Sequence, residues 1–126
     1  MIVLDTDVLI EIFDRMSSRG EEALSKVLES GEDIAITSIN LHEILYGLQK
    51  YAKPVTQVLL LPVLDYTKKD AELSAEIESK AETLGKPIRR TDAMIAAISL
   101  NRGAALYTFD LKHFSSLKTL GLALFS

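Results

Sequence analysis

Residues 2–13 read Ile-Val-Leu-Asp-Thr-Asp-Val-Leu-Ile-Glu-Ile-Phe. The apolar run Ile2 to Leu4 stops at Asp5, and from Thr6 onward Val8, Leu9, Ile12 and Phe13 recur at helical spacing. This stretch predicts a strand, an acid at its carboxyl end, and a helix running to Phe13. The same alternation continues outward from it. Glu21 to Glu29 places Ala23, Leu24, Val27 and Leu28 on one helical face, with Ser30-Gly31 as a stop. Asp33 to Ile36 is a short strand. Ser38 is expected to cap a helix reaching about Tyr51, with Leu41, Leu45 and Leu48 as its buried stripe.

Pro54 interrupts the chain before a short apolar stretch, and Pro62 precedes a strand over Val63 to Tyr66. Thr67 with Asp70 three residues later is an Asp variant of the capping box, opening a charged helix that ends at Gly85 and is read as a solvated face. Thr91 begins a helix that stops at Gly103. Strands over Ala104 to Tyr107 and Leu122 to Phe125 follow, with a helical turn at Leu111 to Phe114 between them. Strands alternating with helices from end to end predict an α/β fold with a mainly parallel sheet of about five strands. The 126 residues are expected to form a single domain, 1–126.

Composition narrows the chemistry. With 48% hydrophobic and 25% charged residues the chain falls in the globular range. It has no cysteine, which excludes disulfides, thiolate zinc sites and a cysteine nucleophile. No apolar run approaches the ~18 residues of a spanning helix, and the start carries no basic leader pattern, so no membrane association and a cytoplasmic location are expected. The net charge of −4 argues against binding nucleic acid by bulk attraction. Committing four of the 18 acids to bound cations leaves 14, equal to the 14 Lys and Arg, and cations reverse the sign of the site that holds them.

In an open parallel sheet, ligands gather beyond the carboxyl ends of the strands. Asp5 and Asp110 both follow strands; a helix cap and a turn residue are the structural alternatives. Asp92 opens a helix that is apolar almost all round (Ala93, Met94, Ile95, Ala96, Ala97, Ile98, Leu100), hence buried. A carboxylate facing inward there demands a positive partner. Glu43 lies off the expected Leu41–Leu45–Leu48 stripe and by itself reads as solvated, with Gly47 one turn later as the only hint of close approach. His42 and His113 lack the spacing of a helical metal pair, and no glycine-rich phosphate loop is present. Carboxylates without His or Cys select hard cations, Mg²⁺ or Mn²⁺, which share their coordination with phosphate and make water a usable nucleophile.

The stretch Ile2 to Asp7, the segment Ser38 to Gly47 with Glu43, the run Thr91-Asp92-Ala93-Met94-Ile95-Ala96-Ala97, and Leu106-Tyr107-Thr108-Phe109-Asp110 with His113-Phe114 together resemble the PIN domain, in particular VapC-like toxins of toxin-antitoxin pairs. The likeness runs over essentially the whole chain. It implies a three-layer α/β/α fold and a metal-dependent endoribonuclease. It makes Asp5, Glu43, Asp92 and Asp110 the catalytic, metal-binding acids, with Thr6, Thr108 and Asp7 in support. A homodimer and a small antitoxin partner are implied as well. Position 7 is often Ser or Asn in that family, and position 110 alternates between Asp and Asn. Lys86, Arg89 and Arg90, just before Asp92, are the basic residues expected to meet the RNA backbone.

Two other readings share some of these residues. Asp5-Thr6-Asp7-Val8 fits the D-x-D-x-[TV] start of haloacid dehalogenase-like phosphatases, with Asp5 as nucleophile, Asp7 as acid and Thr37 as the second-strand hydroxyl, but the late acidic pair is lacking. A phospho-acceptor receiver domain would use Asp65, but lacks a lysine after the last strand.

Overall fold

The computed structural model describes all of residues 1–126. Five strands form one sheet: β1 (Ile2–Leu4), β2 (Ile34–Thr37), β3 (Val63–Leu64), β4 (Ala105–Tyr107) and β5 (Ala123–Leu124). Their order across the sheet is β3-β2-β1-β4-β5, and every pairing is parallel, with Ile2 opposite both Ile34 and Ala105. The helices are α1 (Thr6–Leu9), α2 (Ser18–Glu29), α3 (Ser38–Lys50), α4 (Thr56–Leu59), α5 (Lys68–Thr83), α6 (Arg90–Asn101) and α7 (Leu111–Phe114), the last running into a 3₁₀ stretch over Ser115–Leu120.

Alternation along the strands builds a core on each face of the sheet. Ile2, Leu4, Ile36 and Tyr107 pack against Val8, Leu9, Ala23, Val27, Ile44, Leu48 and Val58 from α1 to α4. Val3 and Leu106 point the other way, onto Ile77, Ala93, Ile95, Ala96, Ala97, Phe114 and Leu117 from α5 to α7 and the turn that follows. The expected three-layer α/β/α arrangement is what forms. Six residues of α6 behind Asp92 are buried (Ala93, Ile95, Ala96, Ala97, Ile98 and Ser99), as its sequence requires.

Four local readings are corrected. The first helix stays α-helical only through Leu9; Ile10–Asp14 widens into a π-turn, closed by the Arg15 N–H bonding the Ile10 carbonyl at 2.9 Å. The Glu11 carbonyl is instead taken by the Ser17 N–H at 3.1 Å, so the backbone bonds of the next turn are diverted. The second helix starts at Ser18, capped by the Ser17 hydroxyl bonding the Gly20 N–H at 3.0 Å. The cap of α3 is Thr37, not Ser38, in a reciprocal box with Asn40, and the buried face runs Asn40–Ile44–Leu48. The helix α5 is not solvated all round, because Asp70, Ser74 and Ile77 are buried.

Gly20 is where α2 meets the π-turn. A Cβ there would lie 2.2 Å from the Glu11 carbonyl oxygen and 2.5 Å from its carbon, both backbone atoms that cannot swing aside. Helix propensity alone would make Gly20→Ala stabilising by about 1 kcal/mol. Overpacking of this kind costs ~1–3 kcal/mol, so the expected net result is a loss of stability in denaturant unfolding. A gain would show that the α2 contact with the π-turn is loose.

Candidate active site

The strand order reverses between β1 and β4: the chain moves from β1 outward to β2 and β3, then returns to the other side of β1 for β4 and β5. At such a switch point the connections leaving neighbouring strands diverge and open a crevice. Asp5 leaves β1 and Thr108 leaves β4 at this place. The Thr108 hydroxyl donates to Asp5 Oδ2 at 2.7 Å, joining residues 103 apart in sequence.

Asp5 is only 6% exposed. Its Oδ1 caps α1 through the Thr6 N–H at 2.8 Å and faces the Asn40 amide at 3.4 Å. Burial, followed by the neighbouring charge of Asp7, pushes its carboxyl up to about 7, against the lowering effect of the Thr108 and Thr6 bonds; Asp92 adds repulsion. Asp7 is also raised, first by burial, while the Phe109 N–H at 3.1 Å opposes the rise.

Glu43 reaches the site through Thr6, whose hydroxyl donates to Glu43 Oε1 at 2.7 Å while accepting from the Asn40 amide at 3.0 Å. Asn40 is fixed in turn by the Thr37 box: its Oδ1 accepts from the Thr37 N–H at 3.0 Å and from the Thr37 hydroxyl at 2.7 Å. The cap of α3 thus fixes the amide that orients Thr6, and Thr6 orients Glu43. Asp92, 5% exposed at the first turn of α6, accepts from Arg89 Nε at 2.9 Å. The same guanidinium lies 3.9 Å from Asp110 and feels the charge of Glu43. Asp110 caps α7 and grips the His113 ring nitrogen at 2.6 Å.

The structure therefore brings Asp5, Asp7, Glu43, Asp92 and Asp110 to one crevice with Thr6 and Thr108 between them. Of the basic candidates, Arg89 stands among the acids. The Arg90 Nε and a terminal nitrogen each bond Glu78 at 3.1 Å, and Lys86 lines a separate small cavity with Ile77 and Leu120. Asn40 and His113 went unrecognised as site residues in the sequence. Thr37-x-x-Asn40 as a capping box would have pointed to the first, and the i,i+3 spacing from Asp110 to the second. Thr37 is committed to its box and Asp65 is exposed on the edge strand side, so neither serves the phosphatase or receiver alternative.

No three of these side chains form a ready-made cation cage: hydroxyls, backbone N–H groups and Arg89 engage their oxygens. The donor chemistry nonetheless fits a hard divalent cation. All five acids offer oxygen only, and they outnumber the one guanidinium among them.

The PIN-domain family profile matches residues 2–119. The chain is 29% identical over 119 residues to ribonuclease VapC2 of Haemophilus influenzae, covering 89% of this chain and 88% of that protein. It is 26% identical over 119 residues to the tRNA(fMet)-specific endonuclease VapC of Shigella flexneri, with the same coverage. The fold superposes on a chain of the VapBC2 crystal structure from Rickettsia felis, bound to a promoter DNA fragment, with a TM-score of 0.82 and 26% identity over 99% of this chain and 98% of that one. With a profile match spanning nearly its whole length, and with the crevice formed where β1 and β4 diverge, this chain belongs to the PIN-domain family.

Proposed function

We propose that residues 1–126 act as one nuclease domain, a Mg²⁺- or Mn²⁺-dependent endoribonuclease that is the toxin of a toxin-antitoxin pair. The observation that carries this reading is the gathering of acids from positions 5, 43, 92 and 110 around a buried Asp5 whose proton is held up to about 7. Relatives named as ribonucleases and a neighbour solved as a VapBC assembly support it. A small antitoxin, a homodimer and a cytoplasmic site of action belong to the same proposal; no helix is long and apolar enough to cross a membrane.

Asp5, Glu43, Asp92 and Asp110 would hold the cation, which when bound supplies an activated water and neutralises phosphate charge. This chain's own residues then have distinct tasks. Thr108 on one oxygen of Asp5 and the Thr6 N–H on the other fix the carboxylate at the floor of the crevice. Thr6 holds Glu43 at a fixed reach. His113 restrains Asp110. Arg89, with Arg90 and Lys86 along the same connection, meets the RNA phosphates; its guanidinium is largely exposed beyond Asp92.

Glu43→Gln tests the site. The amide keeps the shape and can still accept from Thr6, but it removes the charge. Mn²⁺-dependent cleavage of RNA is expected to fall at least 10²-fold, the scale of losing one electrostatic group at a reacting phosphate, with unfolding unchanged. Wild-type turnover in this variant would remove Glu43 from the site.

A further inference from the structure

A groove of about 370 Å³ opens beside the acids, between the π-turn, the start of α2 and the β4–α7 connection, and it shares Asp7 and Asp110 with the crevice. Its other walls carry Glu11, Arg15, Arg19 and Phe109. Phe109 is fixed from behind by an edge-on contact with Tyr107, ring centres 5.7 Å apart, and by its N–H bonding Asp7. The Arg19 guanidinium lies over its ring, 3.8 Å from the ring centre. Arg15 is exposed and pairs with Glu11 at 3.2 Å, and Glu11 also accepts from the Ser17 hydroxyl at 3.2 Å. Of the three acids lining the groove, Glu11 is thereby occupied and Asp7 and Asp110 are shared with the crevice, while both arginines face solvent.

We propose that this groove seats the unpaired nucleotide next to the phosphate that is cut, with Phe109 as the stacking platform for its base and Arg15 and Arg19 as contacts for its backbone. This rests on the ribonuclease reading. A flat, delocalised guanidinium already occupies the ring face, and a nucleobase is the other common planar group that stacks there. When the base takes the ring, Arg19 is released toward the phosphate beside it. The groove has room for one base rather than a duplex, which suits single-stranded loops, where bases can be splayed out. The two arginines place positive charge beside the acids of the groove in a chain whose overall balance is −4.

The test is fluorescence-anisotropy binding of a short single-stranded RNA to the full chain in calcium, with Glu43→Gln as the parent to suppress cleavage. Adding Phe109→Leu keeps the apolar volume behind the ring but removes the stacking face. It is expected to weaken binding roughly tenfold with an unchanged salt dependence. Adding Arg19→Gln is expected to weaken binding several-fold and to lower the salt slope by about 0.7, one phosphate contact on a single strand. Affinity and slope equal to the parent's in both additions, with a parent that binds, overturn the groove and leave the nuclease reading standing. A parent that binds no RNA, together with a wild-type chain that cleaves none in Mn²⁺, sinks the nuclease reading and the groove with it.

Discussion

Asp5→Asn is expected to make the metal-free protein more stable at pH 8 and, on the proposed function, to end its cleavage of RNA. In the folded chain Asp5 titrates at about 7, because burial and then Asp7 disfavour its charge, against 3.8 as its ordinary value. Between these values the folded state holds a proton that the unfolded state has released. Stability therefore declines as pH rises from about 4 to about 7, and above that the loss is complete. At ~1.4 kcal/mol per pH unit between the two titrations, the charged carboxylate costs on the order of 4 kcal/mol. An asparagine can still accept from the Thr6 N–H and can donate to the Thr108 hydroxyl, which then turns toward Asp7, 3.4 Å away. The variant should match the wild type near pH 4 and exceed it by up to ~4 kcal/mol at pH 8 in EDTA. Mn²⁺ should raise the wild type and leave the variant unmoved. Urea unfolding at both pH values, with and without Mn²⁺, measures this. Wild-type stability that rises between pH 4 and 7 would mean that Asp5 is not held in this way.

Asp70→Ala should destabilise the protein from outside the site. Asp70 has no exposed surface. It accepts from the Asn101 amide at 2.8 Å, from the Thr67 N–H and hydroxyl at 2.9 Å each, and from Arg102 at 3.1 Å. Burial pushes its carboxyl up, but Asn101, Thr67 and Arg102 together overcome this and hold it below its ordinary value. The sign is opposite to that of Asp5: this contribution is present above about pH 4 and is lost as pH falls further. Removing the carboxylate leaves Arg102 and Asn101 without their partner at the end of α6. A loss of ~1–3 kcal/mol is expected, the scale of leaving hydrogen-bond partners unsatisfied, since Arg102 is 26% exposed and keeps its bond to the Asp65 carbonyl. A double-mutant cycle with Arg102→Ala separates the pair from the Thr67 cap. Near wild-type stability for Asp70→Ala would show that the cap and pair are dispensable. Since α6 carries Asp92, the clamp bears on the crevice through the helix it holds.

The alternation of strands and helices was legible because a strand buried on both faces must be apolar, and here each such run is closed by a polar or turn residue. It predicted five strands, a mainly parallel sheet, and an acid directly after β1; the three layers came from the family resemblance. Asp92 was legible for a related reason: a helix apolar almost all round leaves a charged residue at its start nowhere to go but a polar crevice. The capping box at Thr67 was readable too, whereas the burial of Asp70 was not, because Asn101 and Arg102 are more than 30 residues away.

Glu43 shows the limit of local reasoning most clearly. A stripe of Leu41, Leu45 and Leu48 turns Glu43 outward, but the buried face of α3 is Asn40–Ile44–Leu48, which brings it beside the core edge. The phase was set by the polar Asn40, whose burial depends on Thr6 and Asp5 lying across from it. Hydrophobicity along the chain carries no record of such a partner. The sequence by itself thus determined the parallel α/β architecture and the acids at strand and helix ends, since period and burial are local properties. Tertiary structure alone decided that Glu43 faces the crevice, that Arg89 rather than Arg90 joins the acids, and that Phe109 presents a ring face beside them, because each depends on which distant backbone is adjacent.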